Sequence, residues 1–546
     1  MKRTNVFQLI AIMLAVLTAP LLMANGALDV PMTGTSELVV LHTNDYHGHP
    51  LKFYNYPAPD VGGLPAIATI AEQTRAEYEN VLILDAGDLN TGRPESNFYE
   101  SAPDIIGYNY IGYDAMTLGN HEFDKPLEVL EAQKKLAAFP FLSANVRYDD
   151  GSPVAEPYIV KNVGGIRVGI FGLTTSETPK VTMPTITGSL VFEDEVSAAR
   201  RMVAELAPQT DIIIALTHMG LYDDNSRGSR RVAAAVNGID LVIDGHSHSN
   251  IEEAVWVNGT PIVQAWNWGL IVGKAVLTVT DGEVADFSWE PIPVNLKDRG
   301  KDAEGNTVYT YVDREIPEDP FLLAALQPYA DQVEVLLSQE IGTAASLFDN
   351  EAVRTRETGL GNLVADAMLW ATKSQGTDFA IQNGGGIRAA IPEGPISKKV
   401  IYEVLPFDNS VMTVEMTGRE VQAMFDYIAE IPRGNGAFPQ VSQGVKFTVD
   451  FGTGETRNLR INGRAVDPNR VYKVATNSFM AAGGDGYTMM SSGYSYDTSA
   501  FQRDVVIDFI LEMGGDIEPE TEGRITVIEA PAALGGESYK DFDEAA

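Results

Sequence analysis

Short apolar runs that stop at histidine recur through the first half of this 546-residue sequence. The runs LVVL, IIIAL and LVID are each followed by histidine within two residues, and all seven histidines fall between His42 and His248. An apolar run with a polar end is typical of a buried strand that brings ligands to the edge of a sheet. Together with GNHEFD, these strand ends predict a centre that holds more than one metal ion.

The same runs indicate the fold class. Between residues 37 and 281 they alternate with segments such as KPLEVLEAQKKLAAF and DEVSAARRMVAELA, which have the spacing of amphipathic helices. This alternation predicts an α/β domain with largely parallel strands. PIVQAW and LIVGKAVLTVT have no helix between them, and they predict an antiparallel end to the same domain.

The chain is too long for one ordinary domain, and a second α/β region is predicted after the helix-like segment PEDPFLLAALQPYADQVEVLLSQ. The N-terminus has Lys2, Arg3, an apolar run and Ala24, as secretory signals do. The alternative is an uncleaved membrane anchor, but the run is short for a span and contains Pro20. We therefore divide the chain into a signal peptide (1–25), a first domain (37–315), a connector helix (316–340), a second domain (341–530) and an acidic tail (531–546).

Charge and cysteine content limit which classes of partner the protein can bind and which ligand atoms a metal site can use. Asp and Glu number 75 against 39 Lys and Arg, a net charge of −36 that repels nucleic-acid polymers. The chain has no cysteine, so a metal site must use nitrogen and oxygen ligands. The signal predicts a periplasmic or secreted protein with no membrane association after cleavage, and it leaves the oligomeric state open.

The candidate ligands include two pairs spaced two residues apart, Asp45 with His47 and His246 with His248. Residues i and i+2 of an extended chain face the same side, so each pair is expected to reach one ion. Asp88, Asn120 and His218 end other apolar runs. Imidazole, carboxylate and amide ligands suit Zn, Mn, Co or Fe better than Ca or Mg.

Each candidate alone also fits a structural role. The alternatives are turn residues at Asp45 and Asp88, a helix cap at Asp124, a left-handed Asn120 and a hydrogen-bonded structural His218. Their concentration at strand ends favours the metal site. His42, His49 and Tyr46 are predicted to be structural, with His49 just beyond the ligands.

The order D-x-H, G-D, G-N-H-E-F-D, a lone H and G-H-S-H resembles the signature of calcineurin-like metallophosphoesterases. The fuller strings LHTNDYHGH, GDLNTG and GNHEFD resemble the 5′-nucleotidase family, which includes periplasmic UDP-sugar hydrolases. The resemblance implies a four-layer α/β/β/α first domain with two divalent metal ions. It assigns one ion to Asp45, His47, Asp88 and His248, and the other to Asp88, Asn120, His218 and His246.

The resemblance also implies the chemistry. Water activated by the metals attacks phosphorus in line, and His121 stabilises the transition state while Asp124 orients it. The family further implies a rotation of the second domain, for which we expect a hinge near Gln339. The sequence departs from the UDP-sugar hydrolases at His248, where they usually have Gln, and this leaves the metal preference open.

The second half contains NGGGIR, LPFDN and AAGGDGY, which alone indicate only tight turns and core aromatics. These strings, with VRTRETGLGNLVADAM, resemble the family's nucleotide-binding domain. The implied contacts are base stacking by Phe407 and Phe479, phosphate or carboxylate binding by Arg354 and Arg388, base hydrogen bonds from Asn383 and Asn409, a ribose contact from Asp485 and a backbone contact at Gly436. T-G-L-G stands where relatives have T/C-N-M-G, so Arg356 is an alternative to Arg354.

The expected function is hydrolysis of nucleoside 5′-phosphates, with di- and triphosphates and UDP-sugars as further candidate substrates. One alternative is a 2′,3′-cyclic-nucleotide phosphodiesterase/3′-nucleotidase, although those relatives usually read GNHEFN where Asp124 stands here. A sulfur-oxidation hydrolase of the same superfamily is a second alternative. From another class, the chain could be a catalytically inactive nucleotide-binding protein.

Overall fold

A computed structural model describes residues 34–55, 58–182, 184–303, 305–491 and 493–529. The predicted signal peptide and the acidic tail lie outside the described residues. Within those ranges, no helix has the length and apolar character needed to cross a membrane.

The first domain consists mainly of strands, with helices between them. Its strands are β1 (Thr35–Thr43), β2 (Phe53–Asn55), β3 (Ala58–Val61), β4 (Val81–Asp85), β5 (Ala115–Thr117), β6 (Phe141–Leu142), β7 (Val146–Tyr148), β8 (Tyr158–Val163), β9 (Ile166–Thr174), β10 (Leu190–Phe192), β11 (Ile212–His218), β12 (Leu241–Ile243), β13 (Val255–Val257), β14 (Thr260–Val263), β15 (Ile271–Thr280), β16 (Glu283–Pro293), β17 (Lys297–Lys301) and β18 (Thr307–Tyr311). Its helices are α1 (Leu64–Glu77), α2 (Pro94–Asn97), α3 (Ala102–Ile111), α4 (Leu127–Leu136), α5 (Thr178–Val181), α6 (Pro184–Thr187), α7 (Glu195–Leu206) and α8 (Gly228–Ala235).

Two six-stranded sheets form the centre of this domain, in the orders β16-β15-β1-β4-β5-β6 and β13-β14-β12-β11-β9-β8. Apolar side chains from both sheets, such as Leu38 and Leu82 from one and Ile170 and Ile214 from the other, form a single buried cluster between them. Helices α1, α3 and α4 cover the outer face of the first sheet. Helices α7 and α8 cover the second. The predicted α/β/β/α layering is therefore confirmed.

Most of the predicted elements are found. The two amphipathic segments are α4 and α7, and β1, β4, β5 and β6 run parallel as predicted. The predicted antiparallel end of the domain is found, and it is divided between the two sheets. PIVQAW contributes β14, which pairs antiparallel with β13 and parallel with β12 in the second sheet, whereas β15 crosses to the first sheet and pairs antiparallel with β1 and β16. Two consecutive strands thus belong to different sheets, a choice that local sequence does not encode.

The segment predicted as a connector forms α9 (Pro320–Leu337). The Asp319 carboxylate caps it by accepting hydrogen bonds from the backbone of Phe321 and Leu322. Leu322 and Leu326 are buried in the same cluster as α1 and α3. Because α9 packs on the first domain, only the short stretch between Leu337 and the next strand links it to the second domain.

The second domain is also α/β. Its strands are β19 (Glu340–Ala344), β20 (Phe379–Asn383), β21 (Gly394–Ser397), β22 (Ser410–Thr417), β23 (Pro439–Val441), β24 (Val445–Asp450), β25 (Glu455–Ile461), β26 (Arg464–Ala465), β27 (Val471–Asn477), β28 (Ser495–Phe501), β29 (Asp516–Ile517) and β30 (Ile525–Ile528). Its helices are α10 (Gly359–Thr372), α11 (Lys398–Val404), α12 (Gly418–Ile428), α13 (Ser478–Ala481) and α14 (Gln502–Glu512). The main sheet has the order β23-β20-β27-β22-β28, with separate apolar clusters that include α12 and α10.

Candidate active site

The seven predicted ligands lie where the two central sheets of the first domain meet. Asp45, Asp88 and Asn120 follow β1, β4 and β5, which are neighbours in the first sheet. His218 ends β11 and His246 follows β12, neighbours in the second sheet. The carboxyl ends of both groups of parallel strands open toward one place, so residues up to two hundred positions apart converge there.

The backbone at these ligands is not extended. Positive φ angles are found at Asp45 (50°), His47 (47°), Asp88 (60°), His246 (81°) and His248 (50°). The extended-chain reason for pairing i with i+2 was therefore wrong: Asp45 and His47 do lie in one ligand group, whereas His246 and His248 lie in different groups. Left-handed backbone costs roughly 1–2 kcal/mol per non-glycine residue, so the surrounding contacts must hold these turns in place.

Asp45, His47 and His248 form one group of candidate ligands, with atoms within 4.8 Å of one another. Nε2 of His248 lies 3.4 Å from Oδ1 of Asp45 and 3.2 Å from Nε2 of His47. The Asp45 carboxylate accepts hydrogen bonds from the backbone of His246 at 2.9 and 3.0 Å, and from the Asn44 amide at 2.7 Å. These donors fix the carboxylate so that it faces the imidazoles.

Asp88, His218 and His246 form a second such group. Nε2 of His218 lies 3.0 Å from Oδ2 of Asp88, and Nε2 of His47 lies 3.9 Å from the same oxygen. Asp88 therefore lies between the two groups. Asn120 belongs with the second group, because its Oδ1 lies 2.7 Å from Nδ1 of His246.

The orientation of the imidazoles fits a bound cation. His47 donates from Nδ1 to the Asn90 carbonyl at 3.0 Å, and His218 donates from Nδ1 to the Ala86 carbonyl at 2.7 Å. Each ring then presents an Nε2 lone pair to the cluster. Nε2 of His218 is buried and faces the carboxylate oxygen Oδ2 of Asp88 at 3.0 Å. Two acceptors that face each other in a buried site suit a divalent metal ion between them.

Glu122 is a residue of this region that the sequence analysis missed. Its Oε2 accepts hydrogen bonds from the backbone of Asp88 at 3.0 Å and Gly119 at 2.7 Å. Its Oε1 accepts from Leu89 at 2.9 Å and Asn90 at 3.3 Å. One buried carboxylate thus joins the turns after β4 and β5. The signal was present in GNHEFD, where Glu stands between two residues that were given roles.

His121 and Asp124 form a pair beside the ligands. Nδ1 of His121 donates to Oδ2 of Asp124 at 2.6 Å, and Nε2 lies 3.9 Å from Oδ2 of Asp88. Burial alone would lower the pKa of His121, but the Asp124 and Asp88 carboxylates outweigh burial and raise it. The helix-cap alternative for Asp124 is wrong, because α4 begins at Leu127 and follows Pro126.

Three of the predicted substrate residues of the second domain, Phe407, Arg354 and Arg388, lie near the ligand cluster. The Phe407 ring lies 5.8 Å from the His121 ring, and the Arg388 guanidinium carbon lies 5.8 Å from the centre of the Phe407 ring. No salt bridge or hydrogen bond joins the Arg354 or Arg388 guanidinium to another described residue. Burial and the charge of Arg354 lower the pKa of Arg388 to about 10. Two neighbouring guanidinium groups that repel each other favour binding of an anion between them.

Arg356 is exposed, and its carbonyl accepts a hydrogen bond from Gln440 at 2.7 Å. Arg354 is less exposed and interacts electrostatically with Asp485 and Arg388. The geometry therefore favours Arg354 over Arg356 as the cleft arginine.

Asn383 and Asp485 are joined to each other. The Asn383 amide donates to Oδ2 of Asp485 at 2.7 Å, while its Oδ1 accepts from Asn477 at 2.9 Å and from Gln382 at 3.1 Å. Both ends of this amide are therefore engaged within the protein. Tyr427 donates to the Asp485 carbonyl at 2.8 Å and holds its left-handed turn, and burial raises the pKa of the Asp485 carboxyl.

Close approach explains two glycines near the predicted pocket. A Cβ on Gly484 would lie 2.3 Å from the Phe479 ring, so glycine lets that ring rest against the turn before Asp485. A Cβ on Gly436 would lie 3.1 Å from the Cα of Gly385, so the two backbones cross closely. The Gly436 carbonyl accepts a hydrogen bond from the Gly385 backbone at 2.8 Å. Gly436 therefore packs against the NGGG turn, and its backbone contact with substrate stays a prediction.

Asn409 leaves part of its side chain available. Its Oδ1 accepts from the Ser478 hydroxyl at 3.0 Å. Its Nδ2 makes no hydrogen bond to another described residue. It can therefore donate to a ligand.

The three residues predicted to be structural are confirmed as such. His42 is buried in β1, and its Nε2 accepts a hydrogen bond from the Trp289 indole at 3.0 Å. His49 is buried, stacks on Trp268 at 5.1 Å and donates to the Tyr46 carbonyl. Tyr46 is itself fully buried in the apolar cluster beneath the helices. None of the three belongs to the candidate ligand groups.

Comparison with known proteins agrees with this arrangement. Residues 38–250 match the family model of calcineurin-like phosphoesterases, and residues 340–492 match that of the 5′-nucleotidase C-terminal domain. The phosphoesterase match implies divalent metal ions.

Several relatives extend over most of the chain. A 5′-nucleotidase of Vibrio cholerae is 36% identical over 518 residues, which cover 89% of this chain and 92% of the relative. Protein UshA of Escherichia coli K12 is 35% identical over 521 residues, covering 89% and 93%. The crystal structure of a 5′-nucleotidase precursor from Thermus thermophilus is similar with a TM-score of 0.80 at 32% identity, covering 91% of this chain and 100% of that one. The chain belongs to the 5′-nucleotidase family and is a hydrolase that acts on phosphoric esters.

Proposed function

We propose that this protein is a two-metal 5′-nucleotidase that hydrolyses nucleoside 5′-phosphates. The observation that carries the proposal is the shared cleft: Phe407 and Arg388 of the second domain lie beside His121 and the ligand cluster of the first. A general phosphoesterase needs only the ligand cluster. An aromatic ring, together with guanidinium groups that form no salt bridge with a described carboxylate, supports a substrate with a base and a phosphate.

The proposed metal sites are those that the family resemblance implies, and the geometry supports them. One ion is held by Asp45, His47, Asp88 and His248, and the other by Asp88, Asn120, His218 and His246. Zn, Mn and Co are the candidates. When bound, two divalent cations supply Lewis-acid chemistry that lowers the pKa of water and neutralises phosphoryl charge.

Side chains of the protein stabilise the developing charge and bind the phosphate. His121 donates from Nε2 to the phosphoryl oxygen on which charge develops, and Asp124 keeps the imidazole protonated and oriented through the 2.6 Å hydrogen bond to Nδ1. Arg354 and Arg388 bind phosphate oxygens through their planar donor groups. Both arginines belong to the second domain, so the phosphate is proposed to lie between the two domains.

The nucleoside is proposed to lie in the second domain. Phe407 and Phe479 stack on the base, a contact worth roughly 1–3 kcal/mol per base. Asn409 donates to the base edge from its amide nitrogen. Asp485 binds the ribose hydroxyls, and Asn383 holds that carboxylate in place through its 2.7 Å hydrogen bond. This assigns Asn383 to orienting Asp485 rather than to the base.

The signal-like N-terminus supports a periplasmic or secreted location, where nucleotides are the partners.

Phosphate release tests the function. Protein stripped with a chelator is expected to release no phosphate from 5′-AMP, and Zn, Mn or Co is expected to restore activity. ADP, ATP and UDP-glucose in the same assay would rank the leaving groups. Faster turnover of 2′,3′-cyclic AMP or 3′-AMP would favour the cyclic phosphodiesterase, and nucleotide binding without turnover would favour an inactive binding protein.

The Phe407→Ala variant tests the stacking role. We expect KM for 5′-AMP to rise about 5- to 160-fold, as follows from losing ~1–3 kcal/mol of stacking. Turnover of p-nitrophenyl phosphate, which has no base, is expected to stay near that of the parent. Phe407→Tyr retains the ring and serves as the matched control. Equal losses on both substrates would contradict stacking and indicate damage to the neighbouring His121.

A further inference from the structure

We propose that Thr91 is a positioning residue for the His121–Asp124 pair, completing a hydrogen-bonded series from Thr91 through Asp124 to His121. The inference rests on the proposed role of His121 in phosphate ester hydrolysis. Thr91 lies in GDLNTG, on the turn that follows Asp88. Its side chain does not face the ligand cluster, and it acts through Asp124.

The contacts that carry the inference converge on one oxygen. The Thr91 hydroxyl donates to Oδ2 of Asp124 at 2.5 Å, and Nδ1 of His121 donates to that same oxygen at 2.6 Å. Thr91 is only 6% exposed, so water does not readily replace its hydroxyl. A carboxylate with two donors on one oxygen has its rotation about the side-chain bond restricted. The direction of the imidazole is restricted with it.

The backbone of Thr91 is in an unfavourable conformation. Its φ of 66° is left-handed, which for a β-branched residue is a true outlier. The neighbouring residue explains how the turn is held: a Cβ on Gly92 would lie 1.6 Å from the His47 carbonyl, so the turn is pressed against the ligand loop. The Thr91 carbonyl also faces Nδ1 of His47 at 3.2 Å.

These two observations are independent and point the same way. An isolated turn would favour glycine or asparagine at a left-handed position. Threonine there places a hydroxyl within 2.5 Å of Asp124, and its carbonyl supports the orientation of His47. Thr91, in its strained conformation, therefore contacts both Asp124, which orients the proposed hydrogen-bond donor His121, and the proposed metal ligand His47.

Two matched pairs of variants isolate the hydroxyl. Val has the same branching as Thr, so Thr91→Val removes the hydrogen bond at equal backbone strain. Thr91→Ser keeps the hydroxyl and Thr91→Ala removes it, both with less strain, so this pair still decides the question if Thr91→Val folds poorly. We expect kcat for 5′-AMP to fall about 10- to 100-fold in Thr91→Val and Thr91→Ala. Thr91→Ser should retain most of the turnover, with KM unchanged in all three.

A double-mutant cycle with His121→Ala supplies a readout that a merely structural role would not move. If Thr91 acts through His121, Thr91→Val lowers kcat no further once His121 is alanine. Bound metal, measured by elemental analysis, should match that of the parent. Loss of metal or an additive loss of kcat would overturn the proposal.

The outcomes also separate this inference from the proposed function. If His121→Ala loses turnover but Thr91→Val and Thr91→Ala do not, the role of Thr91 is wrong and that of His121 stands. If His121→Ala itself keeps normal turnover, the proposed role of His121 fails, and the inference about Thr91 fails with it.

Discussion

Replacing Asp88 with asparagine is expected to abolish phosphate release from 5′-AMP and to remove bound metal. Asp88 lies between the two ligand groups, with one oxygen 3.0 Å from His218 and 3.9 Å from His47. An amide oxygen carries no negative charge, so it is a much weaker ligand for two divalent cations than the carboxylate oxygen it replaces. The expected loss of kcat exceeds the ~10²–10³-fold cost of losing one donor at a developing oxyanion.

Elemental analysis of metal per chain and phosphate release under saturating 5′-AMP would measure this effect. Asp149→Asn, an exposed carboxylate in a turn of the same domain, is the matched control and should keep full activity. The domain should remain folded, because Asn also tolerates the left-handed backbone that Asp88 adopts. An Asp88→Asn protein that retains two metals per chain and normal turnover would contradict the bridging role.

The second large effect is expected for His121→Ala, which should lower kcat by ~10²–10³-fold while both metal ions remain bound. The variant removes the imidazole that donates toward the phosphoryl group and leaves all seven proposed ligands in place. Nucleotide affinity should change little, because Arg354, Arg388 and Phe407 are unaltered. The pattern is therefore a loss in kcat with KM retained.

Metal analysis distinguishes a donor role of His121 from a role as metal ligand. The distinction is needed because His121 also lies within 4.8 Å of candidate ligand atoms of His47 and Asp88. If His121→Ala loses a metal ion, His121 is a ligand rather than a donor to the substrate. Lys135→Ala, on the exposed side of α4, controls for handling of the protein. Near-normal kcat in His121→Ala would exclude the catalytic role altogether.

Much of the fold follows from local sequence. Runs such as IIIAL favour buried strands in a globular domain, and the helix spacing between them requires crossovers that keep strands parallel. What local sequence did not predict is the sheet to which each strand belongs. β14 and β15 are separated by a short loop, yet one joins the second sheet and the other the first. That choice depends on which apolar faces pack together across the whole domain.

Some residues of the site could also be predicted from local sequence, and others could not. The candidate ligands could be predicted because a histidine or aspartate after an apolar run is a local pattern. Glu122 and Thr91 were missed because their roles depend on backbone groups and side chains of other turns, which no local pattern reveals. Left-handed turns, rather than an extended chain, bring the side chains of Asp45 and His47 to one ligand group, and they bring His246 and His248 to different groups.

The order of residues along the chain specifies which side chains are available: ligands at strand ends in the first half, and arginine, asparagine and phenylalanine in the second. Their arrangement in space follows from the packing of the folded domains. It sets Asp88 between two ligand groups, unites two turns through Glu122, and brings Phe407 to 5.8 Å from His121 across nearly three hundred residues. The reason is physical: strand and helix formation depends on near neighbours, whereas these distances depend on the packing of whole sheets and domains.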